Sequence, residues 1–220
     1  MDNIDDHRFF LIIKKEKISF KNFDPINGST LTKEIFLKND SLDNIFLTLE
    51  KFLEKNMFEI EKRLKIFIKK IYIIFESDSV FEVGSSFRQN FTGVDFNYSQ
   101  FNDSLIDIKN QLEKHSKKYE IIHMLIDKYI INGVVYNSLP DNEKIDELVV
   151  QVNFICLENI IVEKFKEIFL KYQISLSKIL YFNYLQKQNN FSSENIIQIA
   201  NENIDGNNSN EVFIIKKNQK

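Results

Sequence analysis

Short apolar runs dense in aromatic and β-branched residues alternate along this chain with longer stretches whose apolar residues recur every three or four positions. The first pattern is that of buried strands and the second that of amphipathic helices, so the alternation points to an α/β or α+β architecture. FFLIIKKEKISFKNFD (9–24) reads as a strand or hairpin, and Pro25 with Asn27-Gly28 marks the turn after it. TLTKEIFLKND (30–40) reads as a further strand. Asp40 and Ser41 then offer N-caps to a helix that carries Leu42, Ile45, Phe46, Leu49, Phe52 and Leu53 on one face. A second helix is expected over 57–70, with Ile60, Leu64, Phe67 and Ile68 inward.

From residue 71 the pattern becomes strand, turn, strand. IYIIFESDSVFEV predicts a hairpin bent at Ser77-Asp78-Ser79 and ended by Gly84, followed by polar residues over 85–97. Residues 98–118 carry Phe101, Leu105, Ile108 and Leu112 at helical spacing, and IIHMLIDKYIINGVVY (121–136) is an extended strand or strand pair. After a polar link with Pro140 come a long strand, DELVVQVNFICL (146–157), a helix over 158–171 and a strand, ISLSKILYF (174–182). The helix turns Ile161, Phe165, Ile168 and Phe169 inward. The tail has a short possible helix, an Asn/Gly turn at 205–208 and one strand, EVFII (211–215), before a basic end. No internal repeat of 20–50 residues is visible.

A chain of 220 residues with 43% hydrophobic content can bury roughly 70% of its unfolded surface, enough for one or two cores. Ala200 is the only alanine while Asn, Lys, Ile and Phe abound, the bias an AT-rich genome writes. A surplus of those residues at one place therefore says little about function. The net charge of −3 is small and both signs are interleaved, which gives no basic field for nucleic acid. Cys156 is the only cysteine, so no intramolecular disulfide forms and a cytoplasmic setting is expected. MDNIDDHRFF lacks the basic start and apolar stretch of an export signal. IYIIF, among the longest apolar runs, falls far short of the ~20 residues of a membrane helix, so a soluble chain without direct membrane insertion is expected.

Catalytic chemistry finds little purchase. His7, His115, His123 and Cys156 have none of the close spacings of a zinc site, and Cys156 lies in NFICL, where burial would raise its thiol pKa and make it inert. GSSFRQN (84–90) has small polar residues but one glycine, so it reads as a connecting loop with Arg88 solvated rather than as a phosphate clamp. Carboxylate pairs such as Asp95 with Asp103, or Glu143 with Glu147, read as solvated faces. No catalytic residue, cofactor or metal ligand is assigned, and the chain is read as not an enzyme.

The run IIHMLIDKYIING resembles a strand of the FtsA-type bacterial cell-division proteins, which are actin homologues. His123, Leu125, Tyr129, Ile130 and Ile131 fill that family's places, while Ile126 stands for its proline and Asn132 for its acid. Residues 150–185 look like the family's next strand, helix and strand, with Cys156 at a small-residue place and Tyr172 near the helix end. The resemblance implies a remnant of the actin-like core over 1–70, a strand-helix-strand-strand insertion subdomain over 71–184, and a truncated return to the core with a partly flexible tail over 185–220. It also implies two phosphate hairpins, but FFLIIKKEKISF has no glycine where the first belongs, and only Asp205 and Gly206 survive of the second. The second lobe and the family's membrane-anchoring helix are unmatched. The expectation is a pseudo-ATPase that acts as an adaptor in the divisome. Its partners would be division proteins at the inner face of the membrane, with self-association through exposed strand edges. The alternatives are a type IV pilus assembly adaptor of the same actin-like group, and an actin-like ATPase with drifted loops or with its halves on separate chains. His123 is read as a structural residue, packed in a strand and hydrogen-bonded to a neighbour.

Overall fold

The computed structural model describes residues 7–24, 31–92, 95–140, 144–188, 196–208 and 210–212. The chain divides into two compact units, residues 1–79 with 160–201, and residues 80–159 with 202–220. Among the described residues there are two sheets and five helices, the mixed α/β class that the periodicity implies. The turn expected at 25–28 and most of the expected strand over 211–215 lie outside the described residues, as does the basic end.

The first unit is built on a five-stranded sheet. Strands β1 (Arg8–Ile13), β2 (Lys17–Phe23) and β3 (Thr32–Phe36) form an antiparallel meander. Helix α1 (Leu42–Leu64) then carries the chain to β4 (Lys70–Phe75), which pairs parallel with β1. Parallel neighbours need a long crossover, and α1 supplies it. Ser41 caps α1 by accepting from the Asn44 amide, and Lys65 ends it in the left-handed region at φ 56°. The helices expected over 42–53 and 57–70 are one. Nothing between Leu53 and Met57 breaks the ladder, and Asn56 donates its side-chain amide to the Phe52 carbonyl at 2.8 Å instead of capping a new helix. Phe67, expected inward, lies beyond the helix end and is 80% exposed.

The expected hairpin from β4 into SVFEV does not form. Strand β4 is flanked on one side by β1 and on the other, in parallel, by β9 (Ser175–Tyr181), so neither of its edges is left for β5 (Phe81–Asn90). Strands β4 and β9, placed by the sequence reading inside residues 71–184, are thus members of the five-stranded sheet. Helix α3 (Asn159–Leu170) leads into β9 and sends Phe165 into the core, where its ring meets Phe46 of α1 at 5.1 Å and Phe75 of β4 at 5.4 Å, both edge-on. Phe182, expected at the end of a strand, opens helix α4 (Phe182–Gln188); α5 (Ile196–Ile204) follows.

The second unit has a four-stranded antiparallel sheet in the order β5, β8 (Glu147–Glu158), β6 (Tyr119–Ile131), β7 (Val134–Tyr136). Helix α2 (Tyr98–His115) is capped by Asn97. Its Phe101, Leu105 and Ile108 share a core with Met124, Ile126, Tyr129, Ile131, Val150, Val152, Phe154 and Cys156. Residues 84–90, expected to be a connecting loop begun by Gly84, are strand: every residue from Phe81 to Asn90 pairs with β8. Their polar character reflects an edge strand with one wet face, a situation composition cannot distinguish from a loop. Strand β6 is interrupted by two irregularities against β8, at Ile121/His123 and at Ile126/Lys128. Each inserts one extra residue and so exchanges the faces of the residues that follow.

Candidate functional site

At the first expected phosphate hairpin the β1–β2 turn closes on itself. The Lys14 amide donates to the Lys17 carbonyl at 2.9 Å, while the Ile13 and Glu16 carbonyls accept from the Glu76 and Leu37 amides. The Lys14 ammonium sits 4.3 Å from the centre of the Phe182 ring. Lys15 Nζ reaches both carboxylate oxygens of Asp78 at 3.0 and 2.9 Å. That hydrogen bond, and next the negative charge of Asp78, hold the Lys15 ammonium above the usual lysine range. An anion approaching this turn meets a carboxylate and a lysine already engaged.

The residues expected to survive from the second hairpin, Asp205 and Gly206, end helix α5. Gly206 takes φ +77°, its amide approaches the Asn203 carbonyl at 3.4 Å, and the Asn207 amide donates to the Glu202 carbonyl at 2.9 Å. These two bonds are the pair by which a helix consumes its last carbonyls around a left-handed glycine. The two amides are thereby spent on the helix, whereas a phosphate loop has to aim them at a ligand.

The chain then returns to β6. The Val212 amide donates to the Met124 carbonyl at 2.9 Å and the Ile126 amide to the Asn210 carbonyl at 2.8 Å, with Leu125 and Glu211 opposite each other. The first β6 irregularity turns Met124 and Ile126 toward α2 and puts His123 on the other face. There His123 Nδ1 lies 2.9 Å from Glu211 Oε1, both side chains almost wholly buried. His123 is packed in a strand and hydrogen-bonded to a neighbour, and the neighbour it ties down is the segment that follows Gly206. Glu211 was not singled out in the sequence. Its one signal is an acid at the head of an otherwise apolar run, EVFII, where solvation would be lost.

Asn132, which occupies the acid's place in the resemblance, has a structural role. It takes φ 50° and Gly133 φ 85°, the two left-handed residues of a tight β6–β7 hairpin. Its side chain accepts from the Asp146 and Glu147 amides at 3.0 and 2.9 Å and donates to the Lys144 carbonyl at 2.8 Å. Asn132→Ala is expected to cost about 2 kcal/mol in urea unfolding, through those bonds and the loss of a left-handed-tolerant residue. Asn132→Asp keeps both accepted bonds and should cost less than half as much. Equal losses for the two variants would mean that the accepted bonds carry none of the stability.

The other candidates do not converge. Within the second unit Cys156 faces α2 while His123 faces away, and His115 is exposed at the end of α2. Burial raises the Cys156 thiol to about 11, leaving on the order of one thiolate in a thousand at pH 8. No group of three or more His, Cys, Asp or Glu able to hold a metal occurs among the described residues. Asp95 and Asp103 are exposed, and Glu143 lies outside the described residues. Arg88 is 64% exposed and pairs with Glu147, its Nε 2.8 Å from the carboxylate. On the face away from α2, Gly84, Ser85, Ser86, Asp127, Gln151, Val152 and Asn153 line a shallow polar depression of about 390 Å³. It ends at the outer edge of β5, whose residues on this face, Glu82, Gly84, Ser86, Arg88 and Asn90, are small or polar.

No family profile and no curated protein matches the chain. Several solved structures are similar to it in fold, among them the following three. The cytoplasmic domain of EpsL, an inner-membrane component of the type II secretion system of Vibrio cholerae, aligns at 5% identity and TM-score 0.37, over 80% of this chain and 57% of that one. A PilM-PilN type IV pilus biogenesis complex aligns at 7% identity and TM-score 0.47, over 81% and 48%. A Bacteroides thetaiotaomicron protein described as having an actin-like ATPase fold and unknown function aligns at 13% identity and TM-score 0.35, over 85% and 58%. The chain thus spans about half the length of the structures it matches, and with every TM-score below 0.5 no family membership follows. No helix among the described residues is long and apolar enough to cross a membrane.

Proposed function

We propose that the chain is a non-catalytic adaptor that works by binding other proteins and does not turn over nucleotide. The β1–β2 turn carries this reading. A nucleotide clamp needs a glycine-rich hairpin whose amides face the phosphates, and here the Lys14 amide closes the turn while Asp78 holds Lys15 beside it. The machine it serves is taken from division, type IV pilus and type II secretion assemblies at the inner face of a membrane. Capture of one set of these proteins on the immobilised chain, and not of the others, assigns it.

The competing reading is an actin-like ATPase completed by a second chain. Isothermal titration with ATP·Mg, at protein concentrations able to detect a dissociation constant of about 100 µM (about −5.5 kcal/mol), separates the two. The adaptor reading expects no heat, alone or with a captured companion chain. Saturable binding under either condition would sink it.

A further inference from the structure

We propose that the outer edge of β5 is a self-pairing surface, along which two copies of this chain join antiparallel with Ser85 on the two-fold axis. Strand β5 is the outermost strand of its sheet and pairs with β8 over ten residues without a bulge. Natural edges are blunted by lysine, proline, bulges or short length. FEVGSSFRQN has neither lysine nor proline, and its centre is Gly84-Ser85-Ser86.

The sequence of β5 is complementary to its own reverse. With Ser85 opposite its own copy, Gly84 meets Ser86, Val83 meets Phe87, and Glu82 meets Arg88, each pair occurring twice. A two-fold axis normal to the sheet keeps the same face of both copies on the same side, so these partners share a face. Val83 and Phe87, half-buried at the margin of the α2 core, meet on the α2 face, which suits an aromatic beside a β-branched residue. Next to them Val83, Ile108, Leu112 and Phe154 help to line a groove of about 180 Å³ that ends at this edge. Glu82 and Arg88 meet on the polar face, where Glu82 now accepts from Asn153 at 2.7 Å and Arg88 pairs with Glu147. The neighbouring two-fold registers lose the charge match. With Gly84 on the axis Glu82 meets Ser86, and with Ser86 on the axis it meets Asn90. Charge complementarity therefore selects both the occupant, a second copy, and the register.

Cysteine cross-linking reads the register directly. Residues directly opposite have Cβ atoms about 4.5–5.5 Å apart, close enough for a disulfide after small adjustments. Under mild oxidation Ser85→Cys is expected to cross-link to itself. Gly84→Cys, where an added Cβ meets nothing within 4 Å, and Ser86→Cys should each stay without a cross-link alone and cross-link when mixed. Ser99→Cys, exposed on α2, sets the background, and Cys156 is buried and does not compete. In sedimentation velocity over roughly 1–200 µM, the wild type should pass from monomer to dimer. Glu82→Arg and Arg88→Glu should each weaken the dimer roughly tenfold, and the double swap should recover it to within about threefold. A wild type that stays monomeric throughout, Ser85→Cys no more cross-linked than Ser99→Cys, or a double swap as weak as the single variants overturns the proposal. All three readouts are independent of nucleotide.

Discussion

Phe165→Ala is expected to destabilise the first unit by about 4 kcal/mol, the upper part of the range for removing a buried aromatic ring. Phe165 is fully buried, and its ring touches Phe46 and Phe75 edge-on, so one side chain holds α1, α3 and β4 together. Truncation removes apolar area and both ring contacts at once. It leaves a cavity between two helices and a sheet whose backbones are fixed by their own hydrogen bonds and cannot collapse into it. Against a total stability of about 5–15 kcal/mol, such a loss should shift the urea midpoint far enough to leave part of the population unfolded at 37 °C. Phe165→Leu keeps most of the volume and should cost about half as much or less. If the alanine variant lost no more than the leucine variant, the cavity would contribute nothing and the two edge-on ring contacts, which both variants lose, would carry the whole effect.

His123→Ala is expected to cost about 3 kcal/mol, since it removes a buried hydrogen-bond partner of the Glu211 carboxyl group and leaves a cavity inside the sheet. Glu211 and His123 are 88 residues apart in sequence and meet at 2.9 Å with both side chains out of water. Their contact pins residues 210–212 against β6. The expected signature is therefore local as well as global. The Val212 amide, bonded to the Met124 carbonyl, should exchange with solvent much faster in the variant than the Val150 amide in the centre of β8. Exchange at Val212 unchanged from the wild type would show that the backbone bonds hold this segment without the side-chain pair.

The parts of the fold legible in the sequence are those that local interactions decide. Ser41 announces the start of α1 because its hydroxyl can satisfy an amide three residues on, whatever lies beyond. Phe101, Leu105 and Ile108 mark one face of α2 because that spacing aligns them on any helix. The strand or strand pair expected over 121–136 is β6 and β7, and Asn132-Gly133 turns between them because few other residues tolerate two consecutive left-handed conformations. The single helix over α1 was harder to read: its apolar residues fall into two groups, up to Leu53 and from Met57, and only the bond from Asn56 to Phe52 shows the stretch between them to be helix interior. Of the candidate site, the closed first turn was legible as a missing glycine, while the engagement of Lys14 and Lys15 by Phe182 and Asp78 was not.

The sequence by itself determined the α/β class, the main strands and helices, the buried position of Cys156 and the absence of a phosphate-loop signature. These follow from propensity, spacing and composition within short windows. Tertiary structure alone decided that β4 lies between β1 and β9 instead of forming a hairpin with β5, that an inserted residue turns His123 away from α2, and that Glu211 meets it there. The physical reason is that a strand's alternation of side chains looks the same whichever strand lies beside it. Its neighbours are chosen by burial and hydrogen bonding summed over the whole sheet, between residues the sequence holds far apart.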